Sequence, residues 1–295
     1  MTFDLDKFSQ LRKERALGTY GIHVDISGKQ FKKSYRSEIL VLDHLYSASK
    51  TYTALAIGIA KAEGLLNLND PIAKFFPEFG DMVVDTSTIR DTLQMVSGKK
   101  ASFPRTNRLN RAFEYLKSQP VCAPREKFIY NDMSSYILSC IVEKVSGATL
   151  RNYLIPRLFT PMGIDNPQWD VSPQGQNSGG WGLHLTLDDF AKLGQLLLHY
   201  GEWGGRQLVS SDFVKAMVTD LVDTKDFCTP LGPSVDYNNG YGYHIWCCRT
   251  ENTIRADGIY GQFCIVFYDI DIVVTILSHC ETFLDILDSV YECLQ

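Results

Sequence analysis

The chain places a serine three residues ahead of a lysine twice, at Ser47…Lys50 and at Ser97…Lys100. An alcohol becomes a nucleophile when an adjacent base removes its proton, and a lysine amine can be that base once burial lowers its pKa. Three residues is almost one helical turn, so on a helix the two side chains share a face. A second group of chemistry-bearing residues is Tyr130-Asn131-Asp132, a phenol, an amide and a carboxylate ahead of a helix expected over 135–145. Read locally, that trio is also a helix start with Asp132 as its cap.

The surrounding elements separate the two serines. Residues 51–62 (TYTALAIGIAKA) are apolar almost all round, the mark of a buried helix, with Gly64 at the place a left-handed cap wants it. Ser47 stands at the head of this helix, where free N–H groups and the positive dipole end favour an oxyanion. Its apolar flank is expected to desolvate Lys50 and lower its pKa. Gly58 inside the helix implies close packing against a neighbour. Ser97, followed by Gly98 and two lysines, reads as a solvated loop. Ser49 is adjacent to Lys50 and cannot face it.

Further out, residues 18–35 read as two strands joined by a turn at Ser27-Gly28. Residues 45–213 are mainly helical, 240–277 return to strands, and 281–293 close the chain with a helix. Strands at both ends with helices between predict an α+β fold: one antiparallel sheet built from both termini, flanked by helices, with a mainly helical subdomain inserted. The expected division is 1–66 with 215–295 for the sheet and 67–214 for the helical part, with the site at their interface.

Composition narrows the function classes. The chain has 295 residues, 45% hydrophobic and 21% charged, with a net charge of −5. That offers no broad basic surface, so neither nucleic acid nor a membrane surface is an expected partner. The N-terminus is charged and lacks an apolar export segment, which predicts a cytoplasmic location. The eight cysteines match no zinc-ligand spacing and read as free thiols of a reducing compartment.

Taken together the motifs resemble the class C β-lactamase-like and penicillin-binding-protein serine hydrolases. YSASKT at 46–51 is similar to the nucleophile motif of that superfamily. EGLLNLNDP at 63–71, TIRDTLQMVSG at 88–98, FIYND at 128–132 and FTPMGI at 159–164 follow in its order. GGWGL at 179–183, TLDDFAKLG at 186–194, GEWGG at 201–205, GYGY at 240–243 and GIYGQ at 258–262 look most like the branch of nylon-oligomer (aminohexanoate-dimer) hydrolases and esterases. The resemblance makes Ser97 a structural position.

The resemblance implies a serine hydrolase that forms an acyl-enzyme on Ser47 and cleaves a small ester or amide. Lys50 and Tyr130 would relay the proton, in an order the sequence leaves open. The backbone N–H groups of Ser47 and Ile259 would hold the oxyanion, and Asp132 could anchor Lys50. Gly258 and Gly261 would let the strand approach substrate, with Gln262 beside them, while Trp181, Tyr243 and His244 are candidate pocket walls. His44 and His184 are read as structural. No metal or organic cofactor is implied, the expected partner is a small-molecule substrate, and no oligomeric state is assigned.

Two departures bear on substrate. The usual third motif, K-T-G or H-x-G, is replaced by Ala256-Asp257-Gly258, and Asp257 would repel an anion. Asp132 occupies the asparagine position of Y-x-N. The altered third motif and the lack of an apolar export segment weigh against the alternatives, a β-lactamase or a D-alanyl carboxypeptidase, while Asp132 would present no amide N–H to substrate. A catalytically idle ligand-binding member is the alternative from another class.

Overall fold

A computed structural model describes residues 2–37, 41–100, 110–229 and 231–295. Its main sheet has six antiparallel strands, and its spatial order joins the two ends of the chain. Lys29–Ser34 lies at one edge, beside Thr19–Ile26. Then come Ile272–Ser278, Gln262–Phe267, Thr253–Gly258 and, at the far edge, Trp246–Cys247. The first two strands form the expected hairpin, with the chain turning at Ser27 and Gly28, both at positive φ (49° and 82°). Thr19 opposes Ser278 and Ile26 opposes Ile272, so the N-terminal hairpin is stitched to the last strand. The architecture is therefore the α+β sheet that the sequence implied.

Period-two alternation sends successive residues of each strand into different cores. From Gln262–Phe267, Phe263, Ile265 and Phe267 enter a cluster with Phe8 and Leu11 of the helix Leu5–Glu14 and with Ile286, Leu287 and Val290 of the helix Leu284–Glu292. Cys264 and Val266 point the other way, into the larger cluster containing the buried helix Ser49–Ala62. The helix Leu187–Leu198 packs against the sheet on this side, although it lies within the chain's middle stretch.

The helix Ser49–Ala62 is buried from Ser49 through Ala60. A Cβ on Gly58 would lie 2.4 Å from the Phe213 ring, which is the close packing that the glycine foreshadowed. This buried helix contacts the helix Asp132–Ser146 and the strand Thr253–Gly258. Those three elements frame the candidate site. A smaller sheet of Asp43–His44, Leu183–Leu185 and Gln168–Trp169 braces the segment leading into it.

The second serine is not in a solvated loop. Ser97 is buried, its Oγ lies 3.3 Å from the Tyr115 hydroxyl, and Lys99 beside it is buried too. Gly98 takes φ 76° and packs against the Cys122 carbonyl, which folds the polar run inward. All eight cysteines are unpaired. Among the described residues no helix is long and apolar enough to cross a membrane.

Candidate active site

Ser47 lies in a single 3-10 turn, Tyr46–Ala48, that runs directly into the buried helix. Tyr46 enters the turn at φ 47°, a left-handed conformation uncommon for a tyrosine, and its N–H is held 2.9 Å from His44 Nδ1. Facing the turn is the end of the strand Thr253–Gly258. A Cβ on Gly258 would lie 2.3 Å from the Leu45 carbonyl oxygen, so only glycine lets the strand press this close.

Lys50 is one turn beyond Ser47 and 1% exposed. Its Nζ donates to Ser47 Oγ at 2.9 Å, to Asp132 Oδ1 at 2.6 Å and to the Gly180 carbonyl at 2.7 Å. The Asp132 and Gly180 contacts require N–H donors, whereas Ser47 Oγ can accept from an ammonium or donate to a neutral amine. Burial pulls the Lys50 pKa down, but the charge of Asp132, then that of Tyr130, more than restores it, and the net shift is upward. The expectation of a desolvated, neutral amine is thus corrected. Desolvation is present, and a carboxylate contributed by another helix outweighs it.

Asp132 is free to do this because it is not the helix cap. Asn131 caps Asp132–Ser146 by accepting from Ser134 N at 2.8 Å, which leaves Asp132 in the first turn. The Gly180 carbonyl was absent from the sequence-derived site. Its signal was the Gly179-Gly180 pair: a Cβ on either would meet backbone of the helix Asp132–Ser146 within 3 Å, so the loop settles onto that helix only as glycines.

Tyr130 completes the group. Its ring centroid is 4.9 Å from Lys50 Nζ, and it lines the same cleft as Ser47. Burial raises the phenol pKa, the Lys50 charge opposes this, and the net shift is upward. The resting pair is therefore a phenol beside an ammonium.

These side chains open onto a cleft of about 650 Å³ lined by Ser47, Tyr130, Asp132, Asp257 and Ile259 and by an aromatic wall that includes Phe227, Tyr237 and Trp246. A cavity of about 780 Å³ on another part of the surface, bounded by Tyr200, Arg249 and Tyr268, contains none of the Ser47 group. Among the described residues none accepts a hydrogen bond from Ile259 N–H, which follows the strand at the cleft edge.

Three candidate walls are elsewhere. Tyr243 is fully buried with its hydroxyl 2.6 Å from Asp220 and 2.8 Å from Arg90. His244 turns inward at φ 54°, its Nε2 lies 2.9 Å from Ser135 Oγ, and burial lowers its pKa to about 3. Trp181 does not line the cleft, and its carbonyl accepts from Trp169 Nε1 at 3.0 Å. Gln262 is also structural, bracing the turn through 3.1 and 2.6 Å bonds to the Ser278 backbone. Gly261 at φ 92° closes that turn against Ile286. The real walls, Phe227, Tyr237 and Trp246, went unnoticed, since residue type alone does not tell which aromatics of 227–246 turn toward the cleft.

One cluster has metal-ligand chemistry. Atoms of His44, Asp170 and His184 lie within 4.8 Å of one another. His44 Nδ1 already accepts the Tyr46 N–H, so the neutral ring carries its proton on Nε2, the nitrogen facing Asp170. A metal there would have to displace that proton.

Residues 43–288 match the model of the Beta-lactamase family. The chain belongs to that family. A beta-lactamase of Yersinia enterocolitica is 28% identical over 61% of the chain and 46% of its own length. A teichoic acid D-alanine hydrolase of Staphylococcus aureus is 22% identical over 82% of the chain and 62% of its own length. The chain thus spans less than two thirds of these relatives. Among solved structures, a Bacillus anthracis protein assigned as a 6-aminohexanoate-dimer hydrolase superposes with a TM-score of 0.80 at 19% identity, covering 96% of this chain and 79% of that one. A D-stereospecific amidohydrolase from Streptomyces gives 0.73 at 16% identity, covering 98% of both. At these identities the structural likeness speaks to fold.

Proposed function

We propose that this beta-lactamase family member is a serine hydrolase that cleaves a small ester or amide through an acyl-enzyme on Ser47. The observation that carries the reading is the saturated Lys50 ammonium, which donates to Ser47 Oγ and leaves the serine proton to be taken by the Tyr130 oxygen. Tyr130 is the relay: it accepts the Ser47 proton while passing its own to the leaving atom, so the phenol is regenerated. Lys50 stays charged and stabilises the negative charge that gathers on the two oxygens. Water reverses the relay in deacylation, giving its proton to Tyr130 as Tyr130 returns one to Ser47. The N–H groups of Ser47 and Ile259 are the proposed oxyanion donors, each typically worth about 3 kcal/mol.

A relative named as a teichoic acid D-alanine hydrolase supports hydrolytic acyl transfer. The relative named as a beta-lactamase keeps penicillin turnover as the second reading. We place the enzyme in the cytoplasm, away from nucleic acid and membranes, on its unpaired cysteines and acidic balance. A fluorophosphonate probe, with p-nitrophenyl esters and nitrocefin as substrates, tests both readings. Labelling and ester turnover should disappear in S47A, whose melting temperature should stay near that of the parent. Labelling that persists in S47A would remove Ser47 as nucleophile, and nitrocefin turnover faster than that of every ester would favour the second reading.

A further inference from the structure

The cleft accepts hydrogen bonds but has little with which to greet an anion. Among the described residues that line it there is no lysine, arginine or histidine, and two are aspartates. The one ammonium beneath the floor, Lys50, has committed all three N–H bonds. With Ala256 at the position of the lysine in the related K-T-G motif, Asp257 stands at that of the threonine. Its Oδ2 is held by Arg255 Nε and by the Tyr237 hydroxyl, each at 2.7 Å. Arg255 is entirely buried on the same face of the strand, beneath the Tyr237 ring, so it fixes the carboxylate without being exposed in the cleft. Among the described residues Asp257 Oδ1 has no protein partner, nor does Asp132 Oδ2.

We infer that the substrate of this site carries a protonated amine, bound by Asp257 Oδ1 with Asp132 nearby, and that a carboxylate in its place is rejected. The inference rests on the acyl-transfer reading above and names the substrate class within it. The wall agrees with the carboxylates. Phe227, Trp246 and Tyr130 line the cleft as an aromatic cluster, with Phe227 and Trp246 centroids 5.1 Å apart, and aromatic π faces attract cations.

The test is a charge series on one skeleton: p-nitrophenyl esters of aminohexanoate, heptanoate and heptanedioate, alike except for a terminal ammonium, methyl or carboxylate. The wild-type enzyme should favour the ammonium ester over the methyl ester by about tenfold in kcat/KM, and the methyl over the carboxylate ester by a similar factor. D257N should collapse the ammonium-to-methyl ratio towards unity. Because D257N also strips Arg255 of its partner, a second measurement uses wild type alone: the ratio should fall as salt rises from low to molar levels, as charge recognition requires. Equal rates for ammonium and methyl esters, a preference for the carboxylate ester, or a ratio unmoved by D257N or by salt would overturn the inference while leaving the hydrolase intact. Absence of Ser47-dependent turnover with all three esters would overturn both.

Discussion

Two lysines of this chain are equally hidden, each 1% exposed, and the fold treats them in opposite ways. Lys50 has a carboxylate 2.6 Å from its Nζ, and its pKa rises in spite of burial. Lys99 donates to the Tyr115 and Leu116 carbonyls, with Asp85 only at 3.8 Å, and there burial prevails and the pKa falls. A buried lysine is thus not by itself an activated base. Contact with a carboxylate, or the lack of it, decides the sign. Lys50 is built as a permanent cation beside a nucleophile, while Lys99 adds a charged donor to carbonyls at the end of the helix Arg111–Lys117 that backbone N–H groups of Ser118 and Val84 also engage.

The sharpest way to break the comparison is to remove the carboxylate. D132N keeps an acceptor near Lys50 but deletes its charge, so kcat/KM should fall roughly 100-fold. The alkaline limb of the pH–rate profile should move to lower pH, since Asp132 is what lifts the Lys50 pKa. A limb that stays in place would show that the ammonium form is not required.

Lys99 gives the converse. K99M leaves Asp85 buried without its cation and removes the ammonium from two helix carbonyls, at a cost of roughly 3 kcal/mol in denaturant unfolding. Turnover well below the melting transition should suffer far less than in D132N. The sign of the pH effect is fixed. The folded pKa of Lys99 lies below the 10.5 of the unfolded chain, so the unfolded chain binds more protons between the two values. Stability from this group therefore rises as pH climbs towards 10.5, and wild type should gain on K99M over that climb. A gap that narrows on the way up would reverse the assignment.

His244 supplies the smallest expected effect. Its folded pKa of about 3 against 6.5 unfolded means that stability is lost as pH falls from 6.5 towards 3. H244Q, which keeps a partner for Ser135, should show a shallower acid decline in melting temperature. An unchanged slope would place the acid sensitivity elsewhere.

What the sequence showed follows from the same contrast. Local rules reached the hairpin turn at Ser27-Gly28, the buried helix through Gly58, and the one-turn spacing of Ser47 and Lys50, since each depends on neighbours a few residues away. Lys50's charge state was out of reach because it hangs on Asp132, 82 positions later. The walls failed for a related reason. The loop carrying Tyr243 and His244 reverses at φ 54°, burying both, while Trp246 just beyond joins the edge strand and faces the cleft. Arg255 was legible in principle: on a strand, positions two apart share a face, so an arginine beside Asp257 was there to be read.

The hairpin at the start of the chain and the strand Ile272–Ser278 are partners, and the N–H of Thr2 and of Gln295 each donate to the other's carbonyl. One of the five strand pairings, that of Thr19–Ile26 with Ile272–Ser278, therefore joins residues more than 200 positions apart, which raises the contact order and slows assembly. During synthesis the hairpin Thr19–Ser34 waits as an unpaired edge until nearly the whole polypeptide has left the ribosome. Substitutions that make that waiting edge stickier should lower the yield of folded protein well before they touch its catalytic rate.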